Sequence, residues 1–193
     1  MHENLVLTRE VRAFPERDVY YCVRDYVQGV TLQTVLDSGK RFEPTQAAWI
    51  LRQTAAALTP LQRRGLFHGG IKPSNIFLCP DDLVVLGDPC LQAPDVGITR
   101  ARLSYDYRYA APEVFGGREA PGPAADWYAL ACVAFELLCG TPPFVSDDWH
   151  ELAHQHSPRG GSTGLDRARL LPLFARLPLQ SNTPMSGASS TVT

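Results

Sequence analysis

The residues best suited to chemistry in this chain of 193 residues stand in three short runs. His150-Glu151-Leu152-Ala153-His154 places two imidazoles one helical turn apart with a carboxylate between them. In that spacing a helix can present two zinc ligands and a general base. A third protein ligand is also required, and no glutamate follows Glu151. Only His156 or Asp166 could serve, while Ser157 and Gly160 stand where the longer form of the motif has glycine and a third histidine. His150, Glu151 and His154 are therefore read as polar residues of an amphipathic helix, with a zinc-dependent hydrolase kept as the alternative from another class. The second run, Gly160-Gly161-Ser162-Thr163-Gly164, has the Gly-x-Ser-x-Gly form of a nucleophile elbow, with His68-Gly69-Gly70 as a conceivable oxyanion loop. An elbow needs a strand before its serine and a histidine after it. Ser157-Pro158-Arg159 is no strand and no histidine follows Ser162, so this reading is rejected.

The third run is His68-Gly69-Gly70-Ile71-Lys72-Pro73-Ser74-Asn75. It resembles the catalytic loop of protein kinases, His-Arg-Asp followed by two residues, proline, one residue and asparagine. Asp88-Pro89-Cys90 then falls where that family has Asp-Phe-Gly, and Ala111-Pro112-Glu113 matches the triplet closing the activation segment. Asp126-Trp127-Tyr128-Ala129-Leu130 matches the start of the helix behind it. Four motifs in the family's order and at its spacing carry a resemblance running from about Asn4 to His156, nearest in texture to bacterial-type Ser/Thr kinases.

The resemblance implies a site with parts missing. Gly70 occupies the position of the aspartate that orients and deprotonates the substrate hydroxyl, and a positioned base contributes on the order of 100- to 10,000-fold in rate. Gly69 replaces the arginine that reads activation-loop phosphorylation, and Pro89-Cys90 removes the phenylalanine of the metal-binding triplet. By the same resemblance Lys72 would contact the transferred phosphate, Asn75 and Asp88 would hold magnesium, and the backbone of Asp25 and Val27 would meet adenine. Lys40 and Lys72 are the only lysines, neither placed to serve from the small lobe, and no Gly-x-Gly-x-x-Gly covers phosphates. Arg24 aligns with the residue guarding the back of the adenine pocket, where a long cation fills space. ATP and magnesium are therefore expected to bind weakly or not at all. Asn75, Lys72 and Asp88 can equally persist as loop-stabilising residues. His68 and Asp126 are read as structural, the first packing under the loop and the second bonding its backbone. Glu113 would seek an arginine, Arg169 or Arg176, and Thr99, Ser104 and Tyr105 are activation-segment hydroxyls open to modification.

Composition narrows the field. At 45% hydrophobic residues the chain can bury one good core, and a formal charge of -2 with scattered arginines gives no bulk attraction to nucleic acid. No apolar stretch reaches the ~20 residues of a membrane span, and Met1-His2-Glu3-Asn4 has no signal character, so a cytoplasmic protein is expected. Five cysteines without Cys-x-x-Cys spacing argue against disulfides and a zinc ribbon, and most are read as small buried thiols.

The elements that must position these residues can be read from pattern. Val19–Val23 is a strand leading to a hinge at Arg24–Gly29, and Thr31–Asp37 a short helix closed by Gly39. Pro44 opens a long helix with Ala47, Ile50, Leu51, Ala55 and Leu58 on one face, ending at Gly65 and kinked by Pro60. Ile76–Leu78 and Leu83–Leu86 form a hairpin with Asn75 and Asp88 at its two ends. Ala124–Cys139 is a buried helix stopped by Gly140, and Ser146 caps a helix over Asp147–His156. The fold class is α+β: the helical large lobe of a kinase (30–157) with residual small-lobe strands and hinge (1–29), then a linker and short helix (158–177) and a disordered tail (178–193). Asn4 and its neighbours resemble the segment that follows the small-lobe helix, so a true truncation or a late recorded start is expected. The functional expectation is an inactive Ser/Thr pseudokinase binding a protein partner or a second copy, through the small-lobe edge or the helix at 147–156. The alternative is a kinase with residual ATP-dependent transfer.

Overall fold

The computed structural model describes residues 2–14, 16, 19–89, 106–116 and 122–157. The glycine-serine run at 160–164, Thr99, Ser104, Tyr105, Cys90, Arg169, Arg176 and the proposed linker, helix and tail lie outside them.

β1 (Thr8–Phe14) and β2 (Val19–Arg24) form an antiparallel pair, with Phe14 opposite Val19 and Arg12 opposite Tyr21. The strand expected at Val19–Val23 is thus already paired along one edge, and the Phe14 and Tyr21 rings stack with centroids 5.8 Å apart. A second sheet has β4 (Ile76–Leu78) between β3 (Val30–Thr31) and β5 (Val84–Leu86). Asp81 and Asp82, both at positive φ, turn the β4–β5 connection, a conformation aspartate tolerates better than most residues.

The helices start and stop for local reasons. Thr31 is the cap of α1 (Leu32–Asp37), its side chain accepting from the Thr34 N–H. Glu43 and Gln46 make a reciprocal capping box for α2 (Pro44–Gln62), with Pro44 in the first turn. Pro60 falls in the last turn, and α2 closes two residues later, before Gly65. After α3 (Pro112–Gly116), α4 (Pro123–Cys139) ends at Gly140, whose φ of +80° suits glycine and whose Cα faces the tip of the Arg41 side chain. The last helix, α5 (Trp149–His156), starts two residues later than its pattern indicates: Asp148 caps it by accepting from Glu151 N–H at 2.9 Å, while Ser146 accepts from Asp148 N–H.

The core lies between α2, α4 and the β3–β5 sheet. Ile50 and Leu58 of α2, Ile76 and Leu86 of the sheet, and Val133 and Leu137 of α4 are fully buried. Each such side chain contributes about 1.5–3 kcal/mol. The N-terminal segment is tied to this lobe rather than to the hairpin. Asn4, 4% exposed, donates through Nδ2 to the Val84 carbonyl and to Gln53 Oε1, both at 2.8 Å, while the Val6 N–H donates to the Leu86 carbonyl and the Leu86 N–H to the Asn4 carbonyl. Of the described cysteines only Cys132 is buried; Cys22 and Cys139 are exposed, contrary to the expectation for most thiols, because the hairpin face and the last turn of α4 lie open.

Candidate nucleotide cleft

The loop at residues 68–75 is fixed from below by a carboxylate. Asp126, in the first turn of α4 and 1% exposed, accepts from the backbone N–H of His68 and of Gly69, both at 2.8 Å. Burial pushes the Asp126 carboxyl above its ordinary range, and the two N–H donors pull it partly back. His68 is wholly buried and its Nδ1 accepts from Gly70 N–H at 3.3 Å. Burial presses its imidazole down to about 4, against an opposing contribution from the Gly87 backbone, so it is neutral at ordinary pH. Both residues hold the loop in the manner expected of them. Gly69 adopts φ +69°, a conformation that suits glycine and strains an arginine.

Above this base the chain brings Gly70, Asn75 and Asp88 together. Pro73–Asn75 makes a single 3-10 turn, so Asn75 reaches back and donates through Nδ2 to the Gly70 carbonyl at 2.7 Å and the Asp88 carbonyl at 3.2 Å. The Gly87 N–H returns a bond to the Asn75 carbonyl at 2.9 Å, closing the hairpin ends on one another as the spacing predicts. Asp88 sits in the left-handed region at φ +53°.

The Asp88 carboxylate is taken by a protein cation. Arg24 Nε lies 2.6 Å from Asp88 Oδ1, with the guanidinium carbon 5.4 Å from the centre of the Phe77 ring. Arg24 Nη1 also donates to the Asp25 carbonyl at 3.4 Å. One side chain therefore touches the backbone expected to meet adenine, the ring between, and the carboxylate expected to meet metal. The Asp25 N–H is used by the Leu7 carbonyl at 3.1 Å, and its carboxylate is bound in two places by Arg9 at 2.6 and 2.9 Å. That hydrogen bonding holds the Asp25 carboxyl below its ordinary range. Val27 packs with Val6, Phe77 and Val85. As folded, the carboxylate expected to hold metal, that of Asp88, and the carbonyl expected to meet adenine, that of Asp25, share one guanidinium.

Lys72, partly buried, lies within electrostatic range of Asp106. Sequence reasoning did not single out Asp106, and it has no motif of its own. Its carboxylate pairs with Arg108 at 2.8 and 2.9 Å. Burial pushes its pKa up, but the Arg108 bonds and charge, with a smaller effect of Lys72, outweigh this and leave it below its ordinary value. Beside it, the buried Tyr109 hydroxyl donates to Glu136 Oε2 at 2.6 Å, joining the turn at 107–109 to α4.

On α5 the two histidines and the glutamate between them lie on the helix as the spacing predicts, and Asp166 is outside the described residues. His150 and His154 are exposed, and Glu151 accepts from Ser146 Oγ at 2.8 Å and Gln155 Nε2 at 3.1 Å. His156 is buried against Phe144, Phe115 and Tyr128, whose hydroxyl is 2.7 Å from Nδ1. Among the described residues no three His, Cys, Asp or Glu gather to hold a metal ion, and no helix is long and apolar enough to cross a membrane.

Comparison with known proteins agrees with the motifs. Residues 1–163 match the protein kinase domain family. The chain is 36% identical over 151 residues to the serine/threonine-protein kinase PknD of Mycobacterium tuberculosis, covering 76% of this chain and 23% of that protein. It is 30% identical over 154 residues to the serine/threonine-protein kinase PknB of Mycolicibacterium smegmatis, covering 74% and 23%. It is 29% identical over 153 residues to the probable serine/threonine-protein kinase fhkC of Dictyostelium discoideum, covering 74% and 24%. The chain thus spans about a quarter of the length of these relatives. With its helices and small antiparallel sheets in an α+β arrangement, the chain belongs to the protein kinase domain family, of the bacterial Ser/Thr type.

Proposed function

We propose that this kinase-fold chain is a catalytically inactive Ser/Thr pseudokinase that acts by binding a protein partner in the cytoplasm. The observation that carries the reading is the state of the cleft: glycine at position 70 where the family has its catalytic carboxylate, and Asp88 engaged by Arg24 rather than free for metal. Electrostatic stabilisation of the transferred phosphoryl group needs metal, lysine and loop in register. Asn75 here serves the loop's own cohesion through its bonds to the Gly70 and Asp88 carbonyls, with residues 1–29 and 30–157 as remnant small lobe and large lobe. Two faces remain for a partner: the β1–β2 hairpin, with Phe14, Tyr21 and Val23 each more than a third exposed, and α5, with Trp149 at 43%. Neither carries a basic patch suited to nucleic acid.

A second reading, residual ATP-dependent transfer, is favoured by Asp106, a partly buried carboxylate near Lys72 that could stand in for the one missing at Gly70. The two hydrogen bonds that its carboxylate accepts from Arg108 leave it poorly placed to accept a substrate proton. Thermal melting with and without millimolar ATP and magnesium separates the readings, since a ligand bound only by the folded state must raise the midpoint. The inactive reading expects the same midpoint in both. A magnesium-dependent rise of several degrees, lost in Asp88→Asn, overturns it.

A further inference from the structure

We infer that Arg24 is the residue that sets what the cleft accepts: its guanidinium is a built-in replacement for the divalent cation at Asp88, and it ties the hinge to the end of β5 without any ligand. The inference rests on the inactive reading above and extends it to the residue that excludes metal.

Three contacts of one side chain argue for it. The Nε–Oδ1 distance of 2.6 Å at Asp88 is that of a charge-assisted hydrogen bond. The Phe77 face beneath the guanidinium and the Asp25 carbonyl at its other end fix the side chain along the cleft. A planar guanidinium suits this combination, because it can stack on a ring while its N–H groups point along the plane, which a lysine ammonium cannot do. Its side chain is 30% exposed and that of Asp88 42%, so solvent screens the pair. Its worth therefore lies in occupancy of the carboxylate rather than in overall stability. Asp88 belongs to a bonded corner, with its carbonyl held by Asn75 and its φ at +53°, so its backbone is held beside Arg24. The β1–β2 hairpin contributes Arg24 from its last residue, so the same contact couples the hairpin to the β4–β5 sheet.

The test uses manganese chloride as a paramagnetic probe on the full chain, reading the Asn75 side-chain amide signals by NMR. In the wild type, millimolar Mn²⁺ leaves these signals unbroadened relative to distant amides. In Arg24→Met, which keeps the length of the stem and the packing on Phe77, the same Mn²⁺ broadens them selectively, and the double variant Arg24→Met with Asp88→Asn abolishes the effect. Equal broadening in wild type and Arg24→Met, or none in either, overturns the inference. Amide exchange supplies the second arm should Arg24→Met fold poorly: Asp88→Asn, in which asparagine tolerates the positive φ, should speed exchange across Thr8–Phe14 and Val19–Arg24 several-fold while α4 is unchanged. Unchanged hairpin exchange contradicts the coupling. A wild-type melt raised by ATP and magnesium sinks the inactive reading; a flat melt with no Mn²⁺ difference between the two proteins sinks only this inference.

Discussion

Asp126→Ala is expected to lower the melting midpoint by on the order of 10 °C. The reason is in two bonds: the carboxylate is the acceptor for His68 N–H and Gly69 N–H, and alanine leaves both donors inside the protein with no partner. Each unsatisfied buried donor costs about 1–3 kcal/mol, and 1 kcal/mol moves the midpoint of a chain this size by about 2–4 °C. Asp126→Asn should fall between alanine and wild type, because its single oxygen can accept from only one of the two directions. Calorimetry of the three proteins tests this. A midpoint for the alanine variant within a degree or two of wild type contradicts the assignment of Asp126 as the support of the loop.

The second large effect is a loss of stability in mild acid. His68 and His156 are both pressed down to about 4 in the folded protein by burial, against an ordinary value near 6.5. Between those values the unfolded chain takes up a proton that the folded chain refuses, so the unfolded state gains as pH falls. The stability is therefore fully present above about pH 6.5 and drains away as pH drops toward 4. From pH 7 to pH 5 the cost is roughly 2 kcal/mol for His68, with His156 acting in the same direction. Asp126 and Glu136, raised chiefly by burial, take protons more readily when folded and so oppose the decline. Denaturant melts at pH 7 and pH 5 should show the drop, and His156→Phe, set among Phe144, Phe115 and Tyr128, should flatten it in part. A midpoint that does not change over this interval contradicts the buried, neutral histidines.

What the sequence made legible was local or carried by motif. Asn75 and Asp88 could be placed at the two ends of one hairpin because a strand, a Pro-Asp-Asp turn and a strand lie between them, and the structure closes those ends through Asn75 Nδ2 and the Gly87 N–H. The buried α4 was readable from its mostly apolar sequence, broken only by Asp126 and Glu136, and from its Gly140 stop. The start of α5 was less so: Ser146 was read as its cap, whereas the bond from Glu151 N–H goes to Asp148. Arg24 could be placed at the back of the adenine pocket by resemblance, but its partner could not: Asp88 lies just past β5 of the other sheet, and a contact between the ends of two sheets leaves no periodic trace. Asp106 was invisible for the same reason. It has no spacing signature relative to Lys72, and only the turn at 107–109 brings it near.

Glycine at position 70, Arg24 on the Asp88 carboxylate and a single lysine in the loop are the observations behind the proposed absence of phosphoryl transfer. The measurement that tests this most directly is transfer of labelled phosphate from ATP with magnesium or manganese, to the chain itself and to a basic protein substrate, beside Asp88→Asn and Asp106→Asn. The account predicts label no higher than in either variant or in a blank without protein. Incorporation well above the blank that disappears in Asp88→Asn contradicts it, and loss in Asp106→Asn as well would identify the carboxylate that replaced the one missing at Gly70.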